Sequence, residues 1–417
     1  MERDVNHLVD HLFRREAGRM VAGLTRIFGP AHLGLAEDVV QEALLQALRT
    51  WPFRGVPDNP AGWLVQVAKN RALDALRRDA SLASKEEDIR TWAAALSSPG
   101  EQEMDDQLRL IFICCQSAVP PDTRVALTLK TVGGFGVPEI ARAFLAKEAT
   151  VAQRLVRAKH RLQQARPPFE VPPPRELPAA LDSVLEVLYA MFNEGYSTHC
   201  GEELVRRDVC HEAIRLARLV TGHPALDTPK THALAALLHL QGARLASRVD
   251  SEGNLLLLSE QDRSTWDREM IAAGFRHLDR SARGDELSVY HLEAGIAAAH
   301  AAAPSVEETN WPEILRLYDL LVDLKPSPVV ALNRAVALAM VRGPEAGLAA
   351  LAPIRLDDYY LLPATEGELH ARAGHRHEAA EAFRRSLEMV CPEPVRRWLT
   401  ERLHEVARQP PSARGRS

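Results

Sequence analysis

The chain has 417 residues, 46% apolar and 26% charged, with a formal net charge of −5. That length exceeds one ordinary domain, so two or three are expected, and the apolar content suits well-packed globular domains. The charge argues against a uniformly basic protein. Residues 1–165 carry 22 Lys/Arg against 20 Asp/Glu, whereas the remainder carries 29 against 36. Work on nucleic acid is therefore expected only in the N-terminal part, and the acidic remainder is suited to shielding basic surfaces.

In chain order, Met1–Asp10 is charged and lacks the apolar core of a signal segment. The first strong helix signal runs from Ala36 to Leu48. Val39, Ala43, Leu44 and Ala47 fall on one face; Asp38, Gln41 and Glu42 fall on another. Such a polar cluster fits a charged partner surface, and equally a solvated face with an acidic first turn. The stretch Trp51–Pro60 reads as a loop by its Pro and Gly content. A basic helix is predicted over Ala61–Arg78, with Lys69, Asn70, Arg71, Arg77 and Arg78 among its polar positions. A basic helix behind a loop bearing Trp and Phe can hold phosphates and stack unpaired bases. A core Trp with a solvated Lys/Arg face fits the same pattern.

Residues 81–106 read as an acidic flexible linker, with Glu86, Glu87, Asp88, Glu101, Glu103, Asp105 and Asp106 around the break Ser97-Ser98-Pro99-Gly100. Gly133-Gly134-Phe135-Gly136 lacks a G-K-[ST] ending, so it predicts a turn rather than a phosphate loop. Two short helices follow, Glu139–Phe144 and Thr150–Lys159 onward. Val151, Leu155, Ala158 and Leu162 repeat at helical spacing and predict the packed face of the second. Gln153, Arg154, Arg157, Lys159 and Arg161 lie between them. Residues 137–165 hold 6 Lys/Arg and 2 Asp/Glu. This is the layout of a helix-turn-helix, in which long donors of the second helix reach base edges or phosphates. An ordinary helical hairpin with a basic face remains the plain alternative.

Taken in order, a D-x-x-Q-E helix, a W-L-x-x-x-A-x-N-x-x-x-D-x-x-R-R helix, an acidic linker and an E-I-A…T-V-x-x-R-L-x-R-A helix-turn-helix resemble the sigma-70 family of RNA polymerase sigma factors, extracytoplasmic-function type. The resemblance covers roughly residues 5–165. It implies that Asp38, Gln41 and Glu42 dock on core RNA polymerase. It implies that Trp63, Lys69, Asn70, Arg71, Asp74, Arg77 and Arg78 melt and read the −10 element, with the loop Trp51–Pro60 capturing a flipped base. Thr150, Gln153, Arg154, Arg157 and Lys159 are then the −35 recognition positions. The chain departs from the pattern at the turn Leu145-Ala146-Lys147-Glu148-Ala149, which lacks the Gly often found there.

Five prolines lie within residues 167–174, a stiff spacer. Beyond it, helical periodicity predicts segments at Leu181–Phe192, Glu202–Thr221, Thr231–Val249, Ser259–Asp279, Leu287–Ala301 and Pro312–Asp323. Asn193-Glu194-Gly195-Tyr196 reads as a helix end. The tail resembles tetratricopeptide repeats: Ala346 and Ala379 are 33 apart, near the period of 34. The extension as a whole, with Phe192–Tyr196 and Trp266-Asp267-Arg268, resembles a subgroup of these sigma factors in which it governs activity in place of a separate anti-sigma factor.

The fold expected is all-α. It comprises a sigma region 2 at 1–80, a linker at 81–106, a region 4 helix-turn-helix at 107–166, a Pro-rich linker at 167–178 and a helical-repeat domain at 179–410. The partners expected are core RNA polymerase and promoter DNA, with a protein or small ligand on the helical domain. Cys114, Cys115, Cys200, Cys210 and Cys391 form no C-x-x-C pair, which argues for a reducing compartment. No run reaches the apolar length of a membrane span, and a cytoplasmic location is expected. His199, Cys200, Cys210 and His211 cluster in sequence and could bind zinc if a loop brought them together. His211-Glu212 starts like a zinc protease motif, but its fifth position is Arg215, not His. No nucleophile–base constellation is visible, so neither enzyme activity nor a metal or cofactor is expected. Two rival readings are an operator-binding helix-turn-helix regulator, which has no need of the Asp38–Glu42 face, and a helical-repeat scaffold.

Overall fold

A computed structural model describes residues 2–78, 84–95, 101–144, 146–196, 205–250, 252–357 and 359–408; the side chains of 2–12, 15, 78 and 101–105 lie outside that description. Among the described residues the regular structure is helical, save one isolated bridge between Val249 and Leu255. No described helix is long and apolar enough to cross a membrane. Two compact units are formed, Met1–Met191 and Phe192–Ser417.

The first unit holds α1 (Glu2–Phe28), α2 (Leu33–Arg54), α3 (Pro60–Arg78), α4 (Glu86–Ala95), α5 (Glu101–Cys114), α6 (Pro121–Thr131), α7 (Val137–Ala143), α8 (Glu148–Ala165) and most of α9 (Leu177–Tyr196). Helix α2 begins after Gly29-Pro30 and stops at Gly55, both glycines having positive φ. It therefore runs through Pro52, and only 55–59 remain of the loop expected at Trp51–Pro60. Its buried stripe is Val39, Val40, Ala43, Ala47 and Trp51. The predicted packed face of α8, Val151, Leu155, Ala158 and Leu162, is buried throughout. Helices α6 and α7 are joined through Gly134, whose φ of +70° brings its backbone onto Arg14; a Cβ there would lie 2.6 Å from the Arg14 carbonyl oxygen.

The acidic stretch 81–106 differs from the flexible linker expected. Glu86–Ala95 is a helix that buries Ile89 and Trp92. Asp106 is buried and accepts from Arg26 at 2.9 Å and Arg109 at 3.3 Å. The apolar pair and the cationic partners lie far apart in sequence, so composition alone read only the acids. The break at Ser97–Gly100 lies outside the described residues. The unit division also falls inside α9 rather than at the Pro-rich stretch. Leu181, Val184, Leu185 and Leu188 are buried, and Arg124 donates to Ser183 Oγ at 3.3 Å.

The second unit continues with α10 (Arg207–Gly222), α11 (Pro229–Gly242), α12 (Arg268–Ser281), α13 (Val289–Ala302) and α14 (Trp311–Leu324). The helix expected over Ser259–Asp279 begins only at Arg268, because Asp267 accepts from the Glu269 and Met270 backbone N–H groups and caps it there. Helix α9 runs past Gly195, where a helix end was expected. Gly195 is there for close approach: a Cβ would lie 2.8 Å from Cys210 Sγ. The tail pairs α15 (Pro328–Arg342) with α16 (Pro344–Leu351), and α17 (Leu361–Ala373) with α18 (Arg376–Glu388), before α19 (Glu393–Arg408). Gly343 and Gly374 make the tight turns at positive φ.

Histidines sit inside this unit. Burial pulls His277 down to about 4, with His239, His232 and nearby arginines adding to the effect. Burial followed by Arg244 and Arg263 pulls His300 to about 3. Both are neutral in the folded chain and bind protons near pH 6.5 once unfolded. Stability is therefore complete above about pH 6.5 and falls as pH drops toward 4, by on the order of a few kcal/mol. Urea melts of the full chain across that window measure it; a flat midpoint contradicts the neutral assignment.

Candidate nucleic-acid interface

Three surfaces of the first unit carry the residues singled out by sequence. On α2, Asp38, Gln41 and Glu42 are exposed, and so are Leu45 and Leu48, at 50% and 54%. The spacing i, i+3, i+4, i+7, i+10 makes these one stripe, opposite the buried Val39–Ala47 face. Two exposed leucines beside three polar groups are unusual for a merely solvated face and suit a partner surface. No ion pair among the described residues engages Asp38, whereas Glu42 lies 3.4 Å from Arg71 of α3.

Beside that stripe is an open cavity of about 800 Å³. Its wall is aromatic. Buried Trp51 meets Trp63 edge-on at 5.6 Å between centroids and Phe13 at 5.4 Å. Phe53, 88% exposed at the end of α2, stands at the rim, and Gln66 and Asn70 of α3 supply polar groups. Asn59 caps α3 by accepting from the Gly62 N–H at 2.9 Å, which fixes the loop against the helix. An aromatic wall with amide groups beside it can hold a base removed from its stack. Lys69 is half-buried, Arg71 is exposed and donates to Gln46 at 3.3 Å, and Arg77 pairs with Asp74 at 3.2 Å. The Arg78 side chain lies outside the described residues. Sequence reasoning did not single out Phe53, Gln66 or Arg49 individually; an apolar residue left between Pro52 and Arg54 at a helix end was the available signal.

The third surface is α8. Thr150, Gln153, Arg154 and Arg157 are exposed on one face. Arg154 approaches Asp122 of α6 at 4.0 Å, and no ion pair among the described residues engages Arg157. Around the α7–α8 turn Phe144 and Lys147 hold negative φ and the Ala146 N–H donates to Ala141 O at 2.9 Å; Leu145 lies outside the described residues. Lys159 differs from its neighbours. It is half-buried and its Nζ lies 2.5 Å from Oε2 of Glu37. Its place is thus at the edge of the packed stripe of α8, next to Leu155 on the helical wheel, and not on the exposed face of Thr150, Gln153, Arg154 and Arg157. Glu37 itself is 4% exposed with its other oxygen unpartnered. Sequence reasoning missed it, although a carboxylate on the apolar stripe of α2, between Leu33 and Val40, marks the position. A second tie joins the same regions: Arg14 pairs with Glu139 at 2.7 Å and lies over the Phe135 ring.

The metal alternative weakens at α10. Arg215 forms two hydrogen bonds to Glu212, at 2.7 and 2.8 Å, where a zinc site would need a histidine. His199 and Cys200 lie outside the described residues.

Residues 12–81 match sigma-70 region 2, and residues 109–162 match sigma-70 region 4. The ECF RNA polymerase sigma-E factor of Escherichia coli is 33% identical over 150 residues, which are 33% of this chain and 76% of that protein. The chain belongs to the sigma-70 family, extracytoplasmic-function type. An uncharacterized protein of Rhizobium meliloti is 40% identical over 389 residues, 91% of this chain and 92% of that one. The probable ECF RNA polymerase sigma factor SigI of Mycobacterium tuberculosis is 25% identical over 235 residues, 50% of this chain and 80% of its own. Residues 180–282 match a family of unknown function, DUF6596. No solved structure matches the chain. As a sigma factor the chain carries its exposed α2 stripe and aromatic cavity in region 2, the exposed face of α8 in region 4, and a large helical extension after them.

Proposed function

We propose that this sigma factor binds core RNA polymerase through Asp38, Gln41 and Glu42, with Leu45 and Leu48 as apolar contacts. Helix α3 and the Trp51–Trp63 cavity receive the −10 element and an extruded base. Thr150, Gln153, Arg154 and Arg157 read the −35 element, and the helical extension governs the activity, by a protein or small ligand, in the cytoplasm where polymerase acts. The observation that carries this reading is the exposed polar and leucine stripe of α2 beside an aromatic cavity. A repressor that only binds duplex needs neither. The test is transcription in vitro with purified core polymerase, the full chain and a candidate promoter. Specific transcripts are expected; their absence, together with absent core binding, returns the operator-binding reading.

This function also requires the first unit to open. The two promoter elements are about 25 base pairs apart, roughly 85 Å along the duplex at about 3.4 Å per step. A compact unit of 191 residues has a radius of gyration near ~16 Å, so it cannot touch both elements at once. The Glu37–Lys159 and Arg14–Glu139 pairs therefore hold a closed form that polymerase must separate. Glu37→Gln removes the charge from a buried pair and is expected to favour the open form by about 1–3 kcal/mol. Energy transfer between labels at exposed Asp58 and Gln163 reads it. The expected result is a longer distance with polymerase, and partly so in the variant alone. An unchanged distance on polymerase binding contradicts the opening.

A further inference from the structure

Near the end of α11, cationic and donor groups gather with little acid among the described residues to answer them. Arg244 immediately precedes the 3₁₀ turn Leu245–Arg248, and Arg263 opens the turn Arg263–Thr265. Their guanidinium carbons lie 5.5 and 5.3 Å from the centroid of Trp266. Arg248 lies over the Tyr196 ring at 3.9 Å and donates to the Tyr196 carbonyl. Tyr196 in turn donates to Gln241 at 2.8 Å.

These arginines are not equivalent. Arg263 is built into the scaffold: it donates to the carbonyls of His300 and Ala303, both at 2.8 Å, and to Thr309 Oγ1 at 3.0 Å. It thereby caps the carbonyl end of α13. Arg244 makes no side-chain hydrogen bond and no ion pair among the described residues. Its Nε, the Nε of Arg263 and the indole Nε1 of Trp266 are all buried without a partner. Burial and the neighbouring Arg248 both pull the Arg244 guanidinium below its usual range, and burial and Arg244 do the same to Arg263. Among the described residues the exposed Glu307 is the one carboxylate that acts on Arg263, and only the Tyr196 phenol opposes the lowering of Arg244.

A buried guanidinium with unmet donors is costly, whereas a fork of N–H groups matches two oxygens of an anion. The Arg244 Nε is buried, but its two terminal nitrogens are not, and with no hydrogen bond among the described residues they remain reachable from solvent. We infer that Arg244, Arg248 and Trp266 form a binding site for the oxyanion group, carboxylate or phosphate, of a small ligand. The terminal nitrogens of Arg244 supply the fork, Arg248 the second positive charge, and the Trp266 ring the surface beside which the Arg244 guanidinium is held. Arg263, fixed to the end of α13, lies against the same ring. The site lies wholly in the helical unit, and its occupancy is measured by binding, so it stands or falls independently of promoter recognition.

The experiment titrates the full chain with inorganic phosphate and, separately, with succinate, against sodium chloride of equal ionic strength. Thermal unfolding and tryptophan fluorescence are read. A saturable rise in melting temperature with at least one probe is expected. Arg244→Met is expected to weaken that binding by about tenfold or more, the loss of one charge-assisted hydrogen bond, while melting no lower than the parent without ligand. Arg244→Lys keeps the charge without the fork and is expected to bind in between, which preserves the test if the Met variant misfolds. Response to phosphate alone assigns a phosphate ligand, and response to succinate alone a carboxylate. The inference is overturned if neither probe saturates, or if parent and both variants respond alike. It is also overturned if Arg244→Met melts lower with no ligand effect, which makes Arg244 a packed structural cation on Trp266.

Discussion

Asp38→Arg is expected to weaken binding to core RNA polymerase by about 30-fold or more, the cost of a reversed charge in a desolvated contact. Asp38 is exposed and carries no ion pair among the described residues, so little of the fold depends on it. An exposed helix position away from caps and core alters stability by about 0.5 kcal/mol or less. The loss should therefore be specific. Far-UV circular dichroism and the melting temperature stay the same while affinity, read by fluorescence anisotropy with labelled protein, collapses. Glu42→Arg should give a smaller loss, because Glu42 is already shared with Arg71 at 3.4 Å. That ordering distinguishes a docking face from a general loss of negative charge. Unchanged affinity in Asp38→Arg removes α2 from the polymerase contact.

Arg157→Ala is expected to reduce promoter-dependent transcription by about 5- to 150-fold, the ~1–3 kcal/mol of one lost base or phosphate contact. Arg157 is exposed on α8, with no ion pair among the described residues to compete with DNA. Arg154 is 4.0 Å from Asp122, so part of its gain on binding is offset by the pair it leaves. Arg154→Ala should therefore cost less than Arg157→Ala. Lys159→Met acts elsewhere: it breaks the pair with Glu37, so its first effect is on the closed form rather than on −35 affinity. Transcription from promoters varied at the −35 element separates these cases. If Arg157→Ala leaves every promoter unaffected, α8 is not the reading helix.

Much of this was legible in the chain itself. Val151, Leu155, Ala158 and Leu162 repeat at helical spacing, and all four are buried; Thr150, Gln153, Arg154 and Arg157 fall between them, and all four are exposed. Period alone decides that, because a helix turns each side chain through a fixed angle. The acid-and-leucine stripe of α2 follows from the same rule. Apolar periodicity also predicted the helical extension.

The rest depended on contacts between distant residues. Lys159 looked like one more basic recognition residue until Glu37, 122 positions earlier, was found against it. The acidic stretch looked like a tether because Arg26, which holds Asp106, is 80 positions away. By contact the first unit runs past the prolines, because Leu181–Leu188 still pack on it, whereas the family match over residues 180–282 begins just after them. The meeting of Arg244, Arg248 and Arg263 around two aromatic rings left no periodic trace. Sequence determined which residues lie on which face of each helix, since that is local geometry. Only the tertiary structure decided which charges meet and which remain unanswered, since pairing is a property of elements brought together from afar.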